Sequence, residues 1–256
     1  MSDAGIDGLV MTRNSLFIFT TVVLDGLAGL SGGLLSERWL IRHQAALTGF
    51  AAGAILGAVF LDILPESVRD IGSNALTWAF AGFVLLAIVE WVIGHHHHQH
   101  GVASPTLPPS LLISDALHNI GDGAAVAAGF LISLKVGVAV AVAVIAHEVP
   151  QEVGDYAVLR IANWRRTQAL VALAGVQFTA FLGAIGVMLA AERTEHLTAI
   201  ILSLAAGTFL YIGATDLLPE IHSGLTPSGR AERMLGFAAG IALIAVVSAI
   251  SPSNIK

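Results

Sequence analysis

Apolar stretches close to the length of a bilayer crossing recur from one end of this 256-residue chain to the other. About 20 mainly apolar residues, rising about 1.5 Å each, cross the hydrocarbon core of a membrane as a helix. That measure draws eight spans, at 15–35, 44–64, 75–94, 111–134, 136–161, 167–191, 197–218 and 232–250. The expected fold is an all-α polytopic membrane protein. Composition agrees: 12 Lys+Arg and 18 Asp+Glu make only 12% of the chain, about half the charged share of a soluble domain. No block is long enough for a separate soluble domain. Residues 1–256 are therefore expected to form a single transmembrane domain, with its function inside the membrane.

Absences narrow the chemistry. The chain has no cysteine, which excludes disulfides, thiolate metal sites and thiol catalysis. The net charge of −6, with basic residues scattered, offers no stripe for nucleic acid. The acidic start MSDAGIDGLVMTRN has no small-residue cleavage site after it, so no cleaved signal peptide is expected.

An even number of spans puts both termini on one side, and the Lys+Arg tally chooses which. With the termini outside, the inner loops hold Arg38, Arg42, Arg160, Arg165, Arg166, Arg230 and Arg233, seven in all. The outer segments hold Arg13, Arg69, Lys135, Arg193 and Lys256, five in all. Seven against five is a narrow vote for extracytoplasmic termini. It also places the loop 94–109, which carries HHHHQH at 95–100, in the cytoplasm as a metal-collecting segment.

The sequence also repeats itself. AAGAILGAVFLDILPE (51–66) of span 2 aligns without a gap to AAGTFLYIGATDLLPE (205–220) of span 7. Asp62 thereby pairs with Asp216 and Glu66 with Glu220. Matching spans 1–3 to 6–8 offsets the copies by an odd number of helices, so the second copy is inverted. Inverted repeats flanking a central helix pair are a transporter architecture with substrate near the midplane. The four carboxylates lie toward the ends of spans 2 and 7, where they can draw cations to a pathway mouth. For the two Glu, capping and solvation is the plainer alternative.

Spans 4 and 5 should be the least polar part of such a chain, and they are the most polar. Span 4 carries Asp115, His118, Asn119 and Asp122; span 5 carries His147, Glu148, Gln151, Glu152 and Asp155. One ionisable residue at a helix centre costs about 2.5–3.5 kcal/mol on the insertion scale, so it needs a partner or a function. A polar network tying two helices together would use some of these residues, but not the set. The i,i+4 rule aligns His118 with Asp122, Asp115 with Asn119, His147 with Gln151, and Glu148 with Glu152. If the helices face each other, imidazole and carboxylate converge from both sides. That donor set suits Zn²⁺ and its first-row neighbours better than Mg²⁺ or Ca²⁺. Pro150 removes a helical hydrogen bond near Ala146, and Gly121, Gly123 and Gly154 permit bends. Asp25 in span 1 and Glu90 in span 3 are ionisable residues to which the sequence assigns no task.

HNIGDG (118–123) and HEVPQEVGD (147–155) resemble the metal signatures of the ZIP (Zrt/Irt-like) family of divalent-metal transporters. They are most similar to the subgroup with HNxxDG in helix 4 and HExPHExGD in helix 5. The resemblance extends over nearly the whole chain. It implies a 3+2+3 arrangement with the metal centre between helices 4 and 5. By motif position the implied ligands are His118, Asn119 and Asp122 from helix 4, and His147, Glu148 and Glu152 from helix 5. Gln151 stands where the subgroup has His and other members often Glu, and joins the candidate ligands as a weaker donor. Gln177 in helix 6 stands where some members supply a Glu for a second metal. Asp115, Gln177, Asp62, Glu66, Asp216 and Glu220 are thus candidates for a second site or the pathway.

The implied function is transport of a divalent cation toward the cytoplasm, with alternating access as the expected mechanism. Zn²⁺ is the leading substrate, followed by Fe²⁺, Mn²⁺ and Cd²⁺, and no organic cofactor is implied. The cell membrane (plasma or bacterial inner) is the expected location, and a homodimer is a candidate assembly. Two rivals come from other classes. HEVPQ is one residue away from HExxH, the zinc and general-base motif of metalloproteases, but Gln151 replaces the second His. A membrane metal sensor would bind without transporting.

Overall fold

The computed structural model describes residues 3–34, 37–93, 107–191, 196–222 and 227–250, and among these every element is helical. Span 1 is Asp3–Leu34, span 3 Asn74–Ile93, span 4 Leu107–Ile132, span 5 Leu134–Ile161 and span 8 Pro227–Ile250. Span 2 comprises Glu37–Ala58, a π-helical turn Val59–Ile63, and Leu64–Ile71. Span 7 is built alike, from Leu197–Ile212, a π turn Gly213–Leu217, and Leu218–His222. Span 6 is two helices, Arg166–Gln177 and Thr179–Ala191.

Seven of these spans are long and apolar enough to cross a membrane. Span 4 is 26 residues long and falls short only in apolarity, because it carries the polar run from Asp115 to Asp122. It can do so because spans 1, 5, 6 and 7 all pack on it, so that run lies inside the bundle, away from lipid.

The packing bears the repeat. Span 2 packs on span 8 as span 7 packs on span 3; span 1 packs on span 5 as span 6 packs on span 4. Span 2 meets span 5 as span 7 meets span 4. Every one of these pairs is exchanged with its partner when spans 1, 2, 3 and 4 trade places with 6, 7, 8 and 5. The two π turns obey the same exchange, with Asp62 and Asp216 at equivalent places within them.

Small residues bring the helix axes close, since lipid offers no hydrophobic drive to hold helices together. A Cβ on Gly207 of span 7 would lie 1.8 Å from the Ala79 carbonyl oxygen of span 3. One on Gly183 of span 6 would lie 1.9 Å from that of Ile120 in span 4. Only glycine fits at either crossing.

Spans 4 and 5 are joined through the single residue Ser133, whose Oγ accepts from Val136 N at 3.2 Å and so caps span 5. On the Ser133 side of the bundle the main apolar core gathers Val59 and Ile63, Val126 and Phe130, Val136 and Val140, and Phe209. A small cluster of Leu111, Leu159, Ala169 and Leu173 closes the opposite end. The polar residues of spans 4 and 5 lie between the two.

One expectation is relocated. The helix runs through Pro150 without interruption, and the irregular turns fall instead in spans 2, 6 and 7. A proline removes one hydrogen bond, but neighbouring helices hold the span in place around it.

Candidate metal centre

Four residues of span 4, Asp115, His118, Asn119 and Asp122, recur at spacings of three and four and share one face. The facing side of span 5 presents His147, Glu148, Gln151 and Glu152. Asn119, Glu148 and Glu152 are fully buried, and Asp115, Asp122 and His147 nearly so.

Three donors form a triangle. The Nε2 atoms of His118 and His147 are 2.9 Å apart, and Asp122 Oδ2 lies 3.3 Å from the first and 3.1 Å from the second. Nδ1–H of His147 donates to the Ala143 carbonyl at 2.9 Å, which fixes the ring with Nε2 turned toward the cluster. Zn–N and Zn–O bonds of about 2.0–2.1 Å place neighbouring donors of a tetrahedron about 3.3 Å apart. The triangle is already within a few tenths of an ångström of one face of that tetrahedron. Glu148 offers an oxygen to the same group, with all four ligand atoms within 4.8 Å of one another.

Glu148 also belongs to a second group. Asp115, Glu148 and Glu152 bring one oxygen each within 4.8 Å of the others. This cluster is all oxygen, the first is mixed nitrogen and oxygen, and Glu148 bridges them.

Amides hold the carboxylates in place. Gln177 Nε2 donates to Glu148 Oε1 and, at 2.6 Å, to Glu152 Oε1. Asn119 Nδ2 donates to Asp115 Oδ1 at 3.0 Å and Gln151 Nε2 to the same oxygen at 3.1 Å. Gln177 reaches the centre because span 6 breaks directly after it. Thr179 Oγ1 pins that break, 2.9 Å from the Ala116 carbonyl of span 4 and 2.7 Å from that of Val176.

Span 1 closes the remaining side. A Cβ on Gly29 would lie 2.8 Å from Gln177 Nε2 and 3.1 Å from Glu148 Oε1. One turn earlier on the same helix, Asp25 is buried and within electrostatic reach of Asp122, His118 and Glu152.

Several buried oxygens have no hydrogen-bond partner among the described residues: Asp25 Oδ1, Asp115 Oδ2, Asn119 Oδ1, Glu148 Oε2, Glu152 Oε2 and Gln177 Oε1. An unsatisfied buried acceptor is costly, and a buried carboxylate more so. Acceptors of this kind, gathered around two imidazoles, fit one or two divalent cations. Asn119 Oδ1 is directed away from its own Nδ2 contact, so the amide has an acceptor to spare. Gln151 contacts Asp115 and so lies at the oxygen cluster.

The other candidates lie elsewhere. Asp62 pairs with Lys135 at 3.2 Å, Glu66 with Arg69, and Glu220 approaches Arg233 at 3.9 Å. Asp216 accepts from its neighbour Thr215 at 2.9 Å. His95–His100 lie outside the described residues. Two residues carry more than the sequence assigned them: Asp25 at the centre, and Lys135 at Asp62.

Fold and site together define an integral membrane protein with a candidate metal centre between two central helices of an internally repeated bundle. Residues 94–248 match the ZIP zinc transporter family. The chain is 30% identical over 225 residues to zinc transporter ZIP13 of Pongo abelii, covering 80% of this chain and 67% of that protein. It is 27% identical over 237 residues to zinc transporter YKE4 of Saccharomyces cerevisiae, covering 80% and 68%. Over a shorter stretch of 115 residues it is 43% identical to human zinc transporter ZIP4, covering 45% and 18%. The chain belongs to the ZIP zinc transporter family.

Proposed function

We propose that the chain carries Zn²⁺ across the membrane toward the cytoplasm, through the centre between spans 4 and 5. Kinship with the zinc transporters ZIP13 and YKE4 supports zinc as the cargo, and Fe²⁺, Mn²⁺ and Cd²⁺ are further substrates in this reading. The single observation that carries the proposal is the His118–His147–Asp122 triangle, which has nearly the dimensions of a zinc coordination face. His118, Asp122, His147 and Glu148 hold the first ion; Asp115, Glu148 and Glu152 receive a second, with Asn119 and Gln151 as neutral oxygen donors.

The substrate ion does specific work here. A metal binds its imidazole and carboxylate donors in their deprotonated forms, so uptake of the metal and release of protons are linked. A mixed set of neutral and charged donors holds the ion without trapping it, and passage requires departure as well as entry. The inverted repeat supports alternating access, in which the flanking spans move against the central pair. The charge tally supports extracytoplasmic termini, which puts the Ser133 end outside.

Peptidase chemistry is a poorer match. Gln151 stands where HExxH needs its second imidazole, and its amide nitrogen is engaged with Asp115. Glu148, the motif's general base, is held by Gln177 and shared between two metal-binding groups. Uptake of several divalent ions into proteoliposomes, with a peptidase assay on the same preparation, decides among the readings. Flux without peptide cleavage is expected. Binding without flux would favour a sensor.

A further inference from the structure

Beyond the centre, the described residues place one ion pair deep in the bundle. Asp62 sits in the π turn of span 2 with its carboxylate wholly buried, and Lys135 Nζ of span 5 reaches Oδ1 at 3.2 Å. Neither Asp62 oxygen has a hydrogen-bond partner among the described residues, so the ammonium is its evident compensation. Lys135 is the second residue of span 5, two positions after the Ser133 turn, and its side chain remains 24% exposed. It is thus a cation on a flexible stem that can swing out to water.

The inverted copy lacks this arrangement. Asp216 occupies the same place in the π turn of span 7, but it is only half-buried and accepts from Thr215 beside it. Both turns therefore carry a carboxylate, and among the described residues only the one at the Ser133 end is closed by an ammonium. The main apolar core lies at that same end, around Val59, Ile63, Val136 and Val140.

We propose that Asp62 is a cation-binding station on the pathway and that Lys135 is a tethered stand-in for the travelling metal. In the conformation seen here the ammonium occupies Asp62 and keeps the Ser133 end shut. An arriving divalent cation takes its place, Lys135 turns out to water, and the end opens. The idea rests on the transport reading above. The physical ground is that a buried carboxylate cannot remain uncompensated, so one cation must replace another.

The chain has no cysteine, so Val59→Cys introduces a single thiol, buried about one turn from Asp62 toward the centre. Its reaction with a membrane-impermeant thiosulfonate, added from the Ser133 side of sealed vesicles, reports opening. In a Lys135→Met background, labelling is expected to accelerate at least about fivefold, with Lys135→Arg near the parent. The double change Asp62→Asn/Lys135→Met removes both charges, so it should fold even if Lys135→Met does not, and its labelling should also stay fast. In Zn²⁺ uptake, Lys135→Met should lower the apparent KM several-fold, and the double change should lose that gain. Labelling at the parental rate in both Lys135→Met and the double change would overturn the proposal, as would an equal KM in the two. Labelling needs no flux, so failure of the parent protein to transport would count against the transport reading separately.

Discussion

His118 and His147 come from different spans, 29 positions apart, yet their Nε2 atoms meet at 2.9 Å with a carboxylate oxygen of Asp122 beside both. Two ring nitrogens and a carboxylate oxygen facing one another are donors that a divalent cation can bind together. The contact joins the two central spans, so occupation of the site is felt by both.

Gln177 is the next residue to test. It neutralises no charge but donates to both Glu148 and Glu152, holding the two carboxylates from span 6. Gln177→Leu keeps the bulk and removes the donor, and uptake should fall about 10–100-fold, as for other groups that orient metal ligands. Gln177→Glu places a further carboxylate at the oxygen cluster and should raise the zinc bound per chain, measured by elemental analysis.

At Gln151 an amide stands where an imidazole would bind a borderline metal more tightly. Its contact with Asp115 Oδ1 at 3.1 Å places it at the centre. Gln151→His is expected to lower the apparent KM for Zn²⁺ while leaving the maximal rate unchanged or reduced, because tightly held substrate leaves slowly. Uptake and equilibrium binding in the same lipid at one pH are the comparison. Unchanged affinity would mean that residue 151 does not reach the ion.

The sequence made the faces of spans 4 and 5 legible because their polar residues stand out against apolar neighbours at helical spacing. The i,i+4 pairings of His118 with Asp122 and Asp115 with Asn119 appear as contacts of 3.3 and 3.0 Å. The repeat was legible too, since the π turns fall at matching positions of the two aligned stretches. Asp25 and Lys135 were not. A lone acid in an apolar span carries no sign of which neighbour it will face, and a lysine next to a turn looks like any other loop charge. Pro150 misdirects for a related reason, because whether a helix bends there depends on what packs around it.

The helix crossings yield a prediction about stability. Gly207→Ala drives a methyl group into the backbone of span 3, 1.8 Å from the Ala79 carbonyl oxygen and 2.6 Å from Phe83 N. A loss of about 1–3 kcal/mol, or more if the axes cannot part, is expected for such overpacking. Gly186→Ala has nothing within 4 Å of its added carbon and should be neutral or slightly stabilising. Thermal unfolding in detergent compares the two.

Deleting His95–His100 should lower uptake at scarce zinc and leave the maximal rate nearly intact, since the segment falls in sequence between spans 3 and 4 and contributes none of the candidate ligands of spans 4 and 5. Uptake measured across a range of zinc concentrations separates the effects. Complete loss of transport would make the loop part of the mechanism.

The central claim is that the triangle of His118, His147 and Asp122 is the place the ion must pass. Zn²⁺ uptake into proteoliposomes, for the parent chain against His118→Ala and Asp122→Ala, tests it most directly, with circular dichroism and gel filtration confirming that each variant is folded. Uptake is expected to fall to the level of empty vesicles in both variants, because each removes a donor from the zinc coordination face. Parental uptake rates in either folded variant would contradict the account.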